Sequence, residues 1–431
     1  MTTLSLSSTA PATIPPALRN STIDALYLHV PFCSSKCHYC DFYSLAGHLD
    51  RADAFLAALD REMRLHHAFF GTPAPQTIFI GGGTPTLLPP HQLERLLTLL
   101  RAFADTTRLH EFTIEANPNT FTPQTARLLR SAGVNRISFG AQSFNTAELA
   151  ILQRDHDPGS VAPAFDTARN AGITNLNLDL IFGIPGQTLA SWEHSLAQAL
   201  ELDPSHMSCY SLIYEPNTTM TARMKQGEFE RLDEETELSM FEHVYHRLRA
   251  AGFSRYEVSN YAQDSPCHHN LAYWKARNWL GLGPSAGSHF APIDGTHAYQ
   301  WKNAGSLAHY LEGLGEGAAA VPMTQFESLP RAKWAAAAAV FWLRLAEGLE
   351  YKEFAARTGV NPAAALEGVL APFAAQGFAE LTRERARLTE SGVAVSDHIL
   401  KRVLAAMEQN ASSARRAAAD EGVRIIDPDL S

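Results

Sequence analysis

From Ala25 to about residue 251 the chain alternates six times between a short strand-like run and a longer amphipathic one. The strand candidates are Ala25–Val30, Thr77–Ile80, Glu111–Ala116, Val134–Phe139, Asn175–Ile181 and His206–Ile213. Helical candidates follow them at about 50–70, 90–104, 123–132, 146–171, 189–202 and 233–251. Six βα repeats in series predict an α/β fold with a parallel sheet, open or curled into a partial barrel, since a complete barrel needs eight.

The same strands carry a second message. A parallel strand covered on both faces reads as a nearly continuous apolar run. Here Leu26, Leu28 and Val30 alternate with Tyr27 and His29, Phe112 and Ile114 with Thr113 and Glu115, and Leu176, Leu178 and Leu180 with Asn175, Asn177 and Asp179. Side chains two apart share a face, so helices cover the apolar face and the other lines a polar interior suited to a large polar ligand.

From about residue 325 the pattern changes. Arg331–Ala346 and Pro362–Gln376 are helical and Ala-rich. Phe378–Leu381 and Ala386–Leu388 flank a charged turn, and a last helix is expected at about 394–409. Helices around a small hairpin predict a winged-helix-like unit. The expected organisation is a loose leader over 1–23, the barrel over 24–290, a connecting segment over 291–324, the helical unit over 325–409 and a poorly ordered tail over 410–431. The formal charge of −10 argues against a surface built to hold nucleic acid. No run approaches the ~18 apolar residues of a membrane span, and the first twenty residues lack a secretory pattern, so a cytosolic protein is expected.

In a reducing compartment a tight group of cysteines signals metal or catalysis rather than disulfides. Cys33, Cys37 and Cys40 have the spacing C-x3-C-x2-C directly after the first strand. Three thiolates in a short loop suit three irons of a [4Fe–4S] cluster and leave the fourth iron open to a ligand. Zinc wants a fourth protein ligand, and His38 is too close to Cys37 to supply it. Gly81, Gly82, Gly83, Thr84 and Pro85 end the second strand, where barrel sites form and bare backbone N–H groups can take a carboxylate. Glu115 and Asp179 lie on the polar faces of strands three and five, and must face the cavity or pair with a cation such as Arg136. Cys209 falls on the apolar phase of the sixth strand and is expected in the core.

The cysteine spacing, with Tyr39 before the third cysteine, resembles the signature of the radical S-adenosylmethionine (radical SAM) enzymes. That resemblance implies a partial (βα)6 barrel, a [4Fe–4S] cluster on Cys33, Cys37 and Cys40, and SAM chelated to the open iron and cleaved to a 5′-deoxyadenosyl radical. The ordered set Tyr27, Tyr39, Gly82, Gly83, Thr84, Glu115, Gln142, Arg154 and Asp179 is similar to the SAM-contacting set of the oxygen-independent coproporphyrinogen III dehydrogenase group. The runs FGIPGQT (182–188), RYEVSNYA (255–262) and GLGPSAGS (281–288) are similar to that group as well, and the likeness spans about 24–400.

Two features depart from the dehydrogenase. Phe42 stands where that enzyme has a fourth cysteine, and the leader is shorter. A third feature, HNLAYW, is similar to the motif of HemW-type heme chaperones, which implies heme at His269 with Asn270, Tyr273 and Trp274 as neighbours. Cys267 and His268 are alternates outside the motif. A neutral imidazole suits heme iron, and Tyr and Trp offer a flat apolar surface to a porphyrin. The resemblance implies a chaperone that binds [4Fe–4S], SAM and heme and passes heme to recipient hemoproteins, respiratory ones included. It also implies an electron donor protein and only peripheral contact with the inner membrane. The rival readings are oxidative decarboxylation of two porphyrinogen propionates, and a heme sensor or store with a vestigial SAM site. The intact cysteine and glycine motifs weigh against the last.

Overall fold

The structure, a computed structural model, describes residues 13–293 and 295–420. Strand β1 (Ala25–Val30) leads into a short parallel pair, β2 (Phe32–Cys33) with β3 (Leu45–Ala46). Helices then alternate with strands: α1 (Ala52–Phe70), β4 (Thr77–Gly82), α2 (Pro90–Phe103), β5 (Glu111–Ala116), α3 (Pro123–Ser131) and β6 (Arg136–Gln142). The series continues with α4 (Thr146–Leu152), α5 (Val161–Asn170), β7 (Asn175–Phe182), α6 (Leu189–Glu201), β8 (His206–Ser211), α7 (Thr219–Lys225) and α8 (Glu234–Ala250). The six expected strands form, and β1, β4, β5, β6, β7 and β8 pair in that order, all parallel.

The outward phase drives this arrangement. Leu26, Leu28, Ile80, Ile114, Ile137, Leu176 and Leu178 are fully buried in one apolar cluster with Phe55 and Leu59 of α1, Leu96 of α2, Leu129 of α3, Phe165 of α5 and Trp192 of α6. Each such side chain contributes about 1.5–3 kcal/mol on leaving water. Polar caps fix where the helices begin. Thr122 caps α3, Asn145 caps α4, and Thr188 with Ser191 forms a reciprocal capping box on α6.

The sheet runs further than the βα count. Short strands β9 (Ser254–Arg255) and β10 (Asn260–Ala262) add antiparallel to β8. Helix α9 (His268–Trp274) is followed by β11 (Trp279–Leu282), which returns to pair parallel with β1. Strands β12 (Gly287–Phe290), β13 (His297–Asn303) and β14 (Met323–Pro330) then add antiparallel, giving twelve strands. The stretch 291–324 therefore carries a sheet strand and helix α10 (Leu307–Gly313), where the sequence offered only a connection. Its signal was masked because β13 is an antiparallel strand with mixed burial and no regular alternation.

The polar phase of the barrel strands is buried. Thr77, Glu111, Thr113, Arg136, Ser138, Asn177, His206 and Ser208 are at most 6% exposed. Much of this interior is satisfied internally instead of being open. His206 Nδ1 and Asn177 Oδ1 lie 2.6 Å apart, Asn177 donates to Ser138 at 2.6 Å, and His206 Nε2 meets the Tyr256 hydroxyl at 2.9 Å. The polar alternation thus marks a hydrogen-bonded core over much of the barrel's depth, and a ligand cavity is confined to its ends.

A second apolar core gathers α11 (Arg331–Trp342), α12 (Tyr351–Thr358), α13 (Ala363–Ala375), α14 (Glu390–Ala394) and α15 (Ser396–Asp420) around a three-stranded sheet. That sheet comprises β15 (Leu349–Glu350), β16 (Ala379–Leu381) and β17 (Arg385–Leu388). Of the expected loose ends, the leader sends Leu18 and Ile23 into the main core. Residues 1–12 and 421–431 lie outside the described residues. Among the described residues no helix is long and apolar enough to cross a membrane.

Candidate functional site

Parallel strands put all their C-terminal ends at one rim, so loops after β1, β4, β5, β6 and β7 converge there. The β1 loop carries Cys33, Cys37 and Cys40, all free and partly exposed. Tyr39 holds the loop down by packing against the small apolar cluster of Leu152, Ile181, Ile184, Leu212 and Met220. Two backbone bonds fix it further: the His38 N–H donates to the Leu152 carbonyl at 3.1 Å, and the Met220 N–H to the His38 carbonyl at 2.8 Å. Arg223 donates to His38 Nδ1 at 2.8 Å, so this imidazole is occupied elsewhere.

Around the loop the other expected residues gather. The Thr84 hydroxyl donates to Cys33 Sγ at 3.8 Å. Arg154 donates to Cys37 Sγ at 3.5 Å and to the Gly140 carbonyl at 2.7 Å. Gln142 sits at a register shift at the end of β6 with a left-handed φ of 66°, and a Cβ on Gly140 would lie 2.8 Å from its Nε2. A Cβ on Gly83 would stand 2.4 Å from the Phe32 carbonyl oxygen, so only glycine lets the β4 loop lie on β2. The Gly82 N–H donates to Glu115 Oε2 at 3.1 Å, closing one of the bare donors expected there.

The two carboxylates of this rim do not pair with Arg136. Burial and the Asp179 charge beside it push the Glu115 carboxyl up to about 8. Burial likewise raises Asp179, against the hydrogen bonds it accepts from Asn177 at 2.8 Å and Ser138 at 3.0 Å. Two partly exposed acids with raised pKa values form a mouth that favours a cationic guest. Three residues that sequence reading passed over complete it. His29 bonds the Tyr27 hydroxyl at 3.0 Å and the Tyr43 carbonyl at 2.7 Å, and Ser138 and Asn177 hold Asp179. Their only advance signal was a polar residue on the interior phase of a strand.

A fit test for a cluster and SAM rests on these donors. Among the described residues no three His, Cys, Asp or Glu side chains converge on a single metal ion. A four-iron cluster asks for something different, three thiolates on three irons. Three free thiols in one anchored loop, beside a glycine-lined strand end and two acids, supply that donor set and a place for a sulfonium.

The HNLAYW segment lies at the opposite end of the barrel. Helix α9 covers the N-terminal ends of β4, β5 and β6, where Thr77, Glu111 and Arg136 begin their strands. The Glu111 carboxylate accepts from the backbone N–H groups of His268 and His269 at 2.6 and 2.9 Å and from the Cys267 thiol at 3.4 Å. Burial would raise Glu111, but Arg136 and these N–H donors outweigh it and hold the carboxyl below its ordinary range. His269 is 3% exposed, its Nδ1 is 2.9 Å from the Thr77 hydroxyl, and its ring lies between Phe79 and Tyr273. Burial pulls its pKa down to about 4, so it is a neutral imidazole. Asn270 donates to the Tyr256 hydroxyl at 3.4 Å, Tyr273 packs on Trp279, and Trp274 on Phe341. Cys209 and Cys267 are both buried.

Residues 27–199 match the radical SAM superfamily, and residues 335–395 match the HemN C-terminal domain. The chain is 36% identical over 375 residues to the protein named heme chaperone HemW of Bacillus subtilis, covering 86% of this chain and 97% of that one. It is 35% identical over 385 residues to the HemW of Mycobacterium tuberculosis, covering 88% of this chain and 94% of that one. Over 268 residues it is 39% identical to the HemW of Escherichia coli, covering 61% of this chain and 69% of that one. In fold it is similar to coproporphyrinogen III oxidase (HemN) of Escherichia coli, with a TM-score of 0.76 at 24% identity over 90% of this chain and 92% of that one. With likeness along 97% and 94% of the Bacillus and Mycobacterium proteins, the chain belongs to the HemW heme-chaperone family of radical SAM proteins.

Proposed function

We propose that this protein is a radical SAM heme chaperone. It holds a [4Fe–4S] cluster on Cys33, Cys37 and Cys40 and SAM in the mouth formed by Tyr27, Tyr39, Gly82, Gly83, Thr84, Glu115, Gln142, Arg154 and Asp179. It carries heme at the HNLAYW segment, where the resemblance assigns His269, Asn270, Tyr273 and Trp274, and passes it to recipient hemoproteins, including respiratory ones at the inner membrane. It works in the cytoplasm with an electron donor protein. The observation that carries the reading is the 36% identity along 97% of a named heme chaperone. When bound, the cluster supplies an electron to SAM. The chain's own part is to anchor the cysteine loop through Tyr39, set two raised carboxyls against a cation and hold Asp179 through Ser138 and Asn177.

Against the dehydrogenase reading stands Phe42, 66% exposed where that group has a cysteine. The test uses anaerobically reconstituted full-length protein. Hemin should bind one-to-one in the Soret band and move to an added apo-b-type cytochrome. Coproporphyrinogen III with SAM and a reductant should give no protoporphyrinogen. Sustained turnover without heme transfer restores the dehydrogenase.

A further inference from the structure

Helix α7 is delimited by its own sequence. Thr218 caps its start, with the hydroxyl accepting from the Thr221 N–H at 3.3 Å. Gly227, at a left-handed φ of 77°, stops it. The Gly227 N–H donates to the Met224 carbonyl at 3.0 Å and the Glu228 N–H to the Arg223 carbonyl at 3.2 Å, which closes the last turn. That reversal brings Glu228 back beside Arg223, and its carboxylate accepts from Arg223 Nε at 2.7 Å. The guanidinium also lies over the Phe229 ring, 5.6 Å from its centroid. Phe229 and the buried Met220 pack in the same small apolar cluster as Tyr39.

The helix meets the cysteine loop twice, both times at His38. The Met220 N–H holds the His38 carbonyl, and Arg223 donates to the ring at Nδ1, which leaves the ring proton on Nε2. His38 stands between Cys37 and Cys40, and Arg154 donates to Cys37 Sγ from another side. A partly exposed ion pair such as Arg223–Glu228 adds little to global stability, so its consequence is local. Contacts that orient the ligands of a metal group govern how firmly the group is held and at what potential. Resting on the cluster reading above, we infer that α7 is a clamp on the cluster loop, with Arg223 as its positioning residue acting through His38. Arg223 fixes the stretch that carries Cys37 and Cys40, and Glu228 offsets its charge. The single electron that the cluster accepts from the donor protein adds one negative charge, which Arg223 favours and Glu228 disfavours.

Anaerobically reconstituted full-length protein tests this through the rate of iron release to a chelator and the midpoint potential of the cluster. Arg223→Met and His38→Ala should each speed release about tenfold. Combining them should add nothing further, because both break one contact. Arg223→Met should make the potential more negative and Glu228→Gln less negative, whereas a merely loosened loop would move both the same way. Glu228→Gln is nearly isosteric, so its sign is readable whatever Arg223→Met does to the helix. Arg223→Lys should restore the potential but not the slow release, since a point charge does not reproduce the placement of the guanidinium. Additive losses in the double variant would mean that Arg223 does not act through His38, and would overturn the clamp. Wild-type release and potential in the single variants would overturn it as well, and in both cases the cluster reading stands. If the wild type itself assembles no iron and sulfide, both fall together.

Discussion

Glu115 is the residue whose chemistry departs furthest from its ordinary behaviour at the rim. Its carboxyl titrates near 8 and not near 4.5, because burial and Asp179 disfavour its charge. The native state then holds this proton more tightly than the unfolded chain does. Its contribution to stability is fully present below about 4.5 and is lost as pH rises through about 8. Glu115→Gln should therefore gain about 1–2 kcal/mol on wild type between pH 5 and pH 8, after allowance for solvent screening. Urea denaturation at the two pH values measures it, and a constant difference would mean that Glu115 is charged throughout. Asp179→Ala should weaken SAM binding about tenfold by calorimetry, with unchanged affinity removing Asp179 from the pocket. Changing Cys33, Cys37 or Cys40 to Ser should cost the protein its bound iron and sulfide, and a stoichiometric cluster in the triple variant would sink the assignment. These positions were legible because each sits at a strand end or in a dense motif. His29, Ser138 and Asn177 were not, since one polar residue within a strand reads the same whether it faces a ligand or another side chain. The inward turn of His269 was equally hidden, because HNLAYW does not say which of two adjacent histidines the barrel swallows.

Elements were legible where their period was strong. The barrel strands and their helices alternate apolar and polar in a way that only a covered sheet explains. Strands β11 to β14 were not, because their burial follows no clean alternation along the strand. The β4 loop shows how tightly one element constrains another. Gly83→Ala would drive a Cβ to 2.4 Å from the Phe32 carbonyl, and backbone cannot yield as a side-chain tip can. It should cost about 1–3 kcal/mol and displace the cysteine loop that starts at β2. Gly368 is the control. It lies exposed within α13, with nothing within 4 Å of an added Cβ. Gly368→Ala should stabilise by about 0.5–1 kcal/mol, because alanine loses less backbone entropy on entering a helix. Thermal denaturation of the pair checks both signs. A harmless Gly83→Ala would mean that β2 can move away from the β4 loop.

At the scale of the whole molecule, two ends and two cores have to act as one body. The ends are joined through the lumen: Asn270 on α9 reaches Tyr256, Tyr256 meets His206, His206 meets Asn177, and Asn177 holds Asp179 at the opposite rim. Among the cations that join the cores, Arg357 is the most buried in its contacts with backbone carbonyls. Arg357 of α12, 7% exposed, donates to the Ala276 carbonyl at 2.6 and 2.9 Å, to the Ala291 carbonyl at 2.7 Å and to Asn278 Oδ1 at 2.9 Å. Those acceptors lie in the segment that links α9 to β11 and in the one that follows β12. Arg357 therefore pins the C-terminal unit to the stretch that seats α9. Burial without a carboxylate in contact lowers its pKa to about 10, yet it remains charged at neutral pH. Sequence could not foresee this tie, since an arginine on a helix is usually a solvated one. Arg357→Met keeps the volume but strips the donors and leaves buried carbonyls unpaired, at a cost of about 3 kcal/mol. Wild type should unfold in one calorimetric transition, and Arg357→Met in two, the first belonging to the C-terminal unit. Heme affinity should fall with that first transition, because α9 loses the support behind its C-terminal end. A single unshifted transition would mean that the apolar contacts of Trp334, Ala335 and Ala339 and the ion pairs of Lys275, Arg277 and Arg255 join the cores without Arg357.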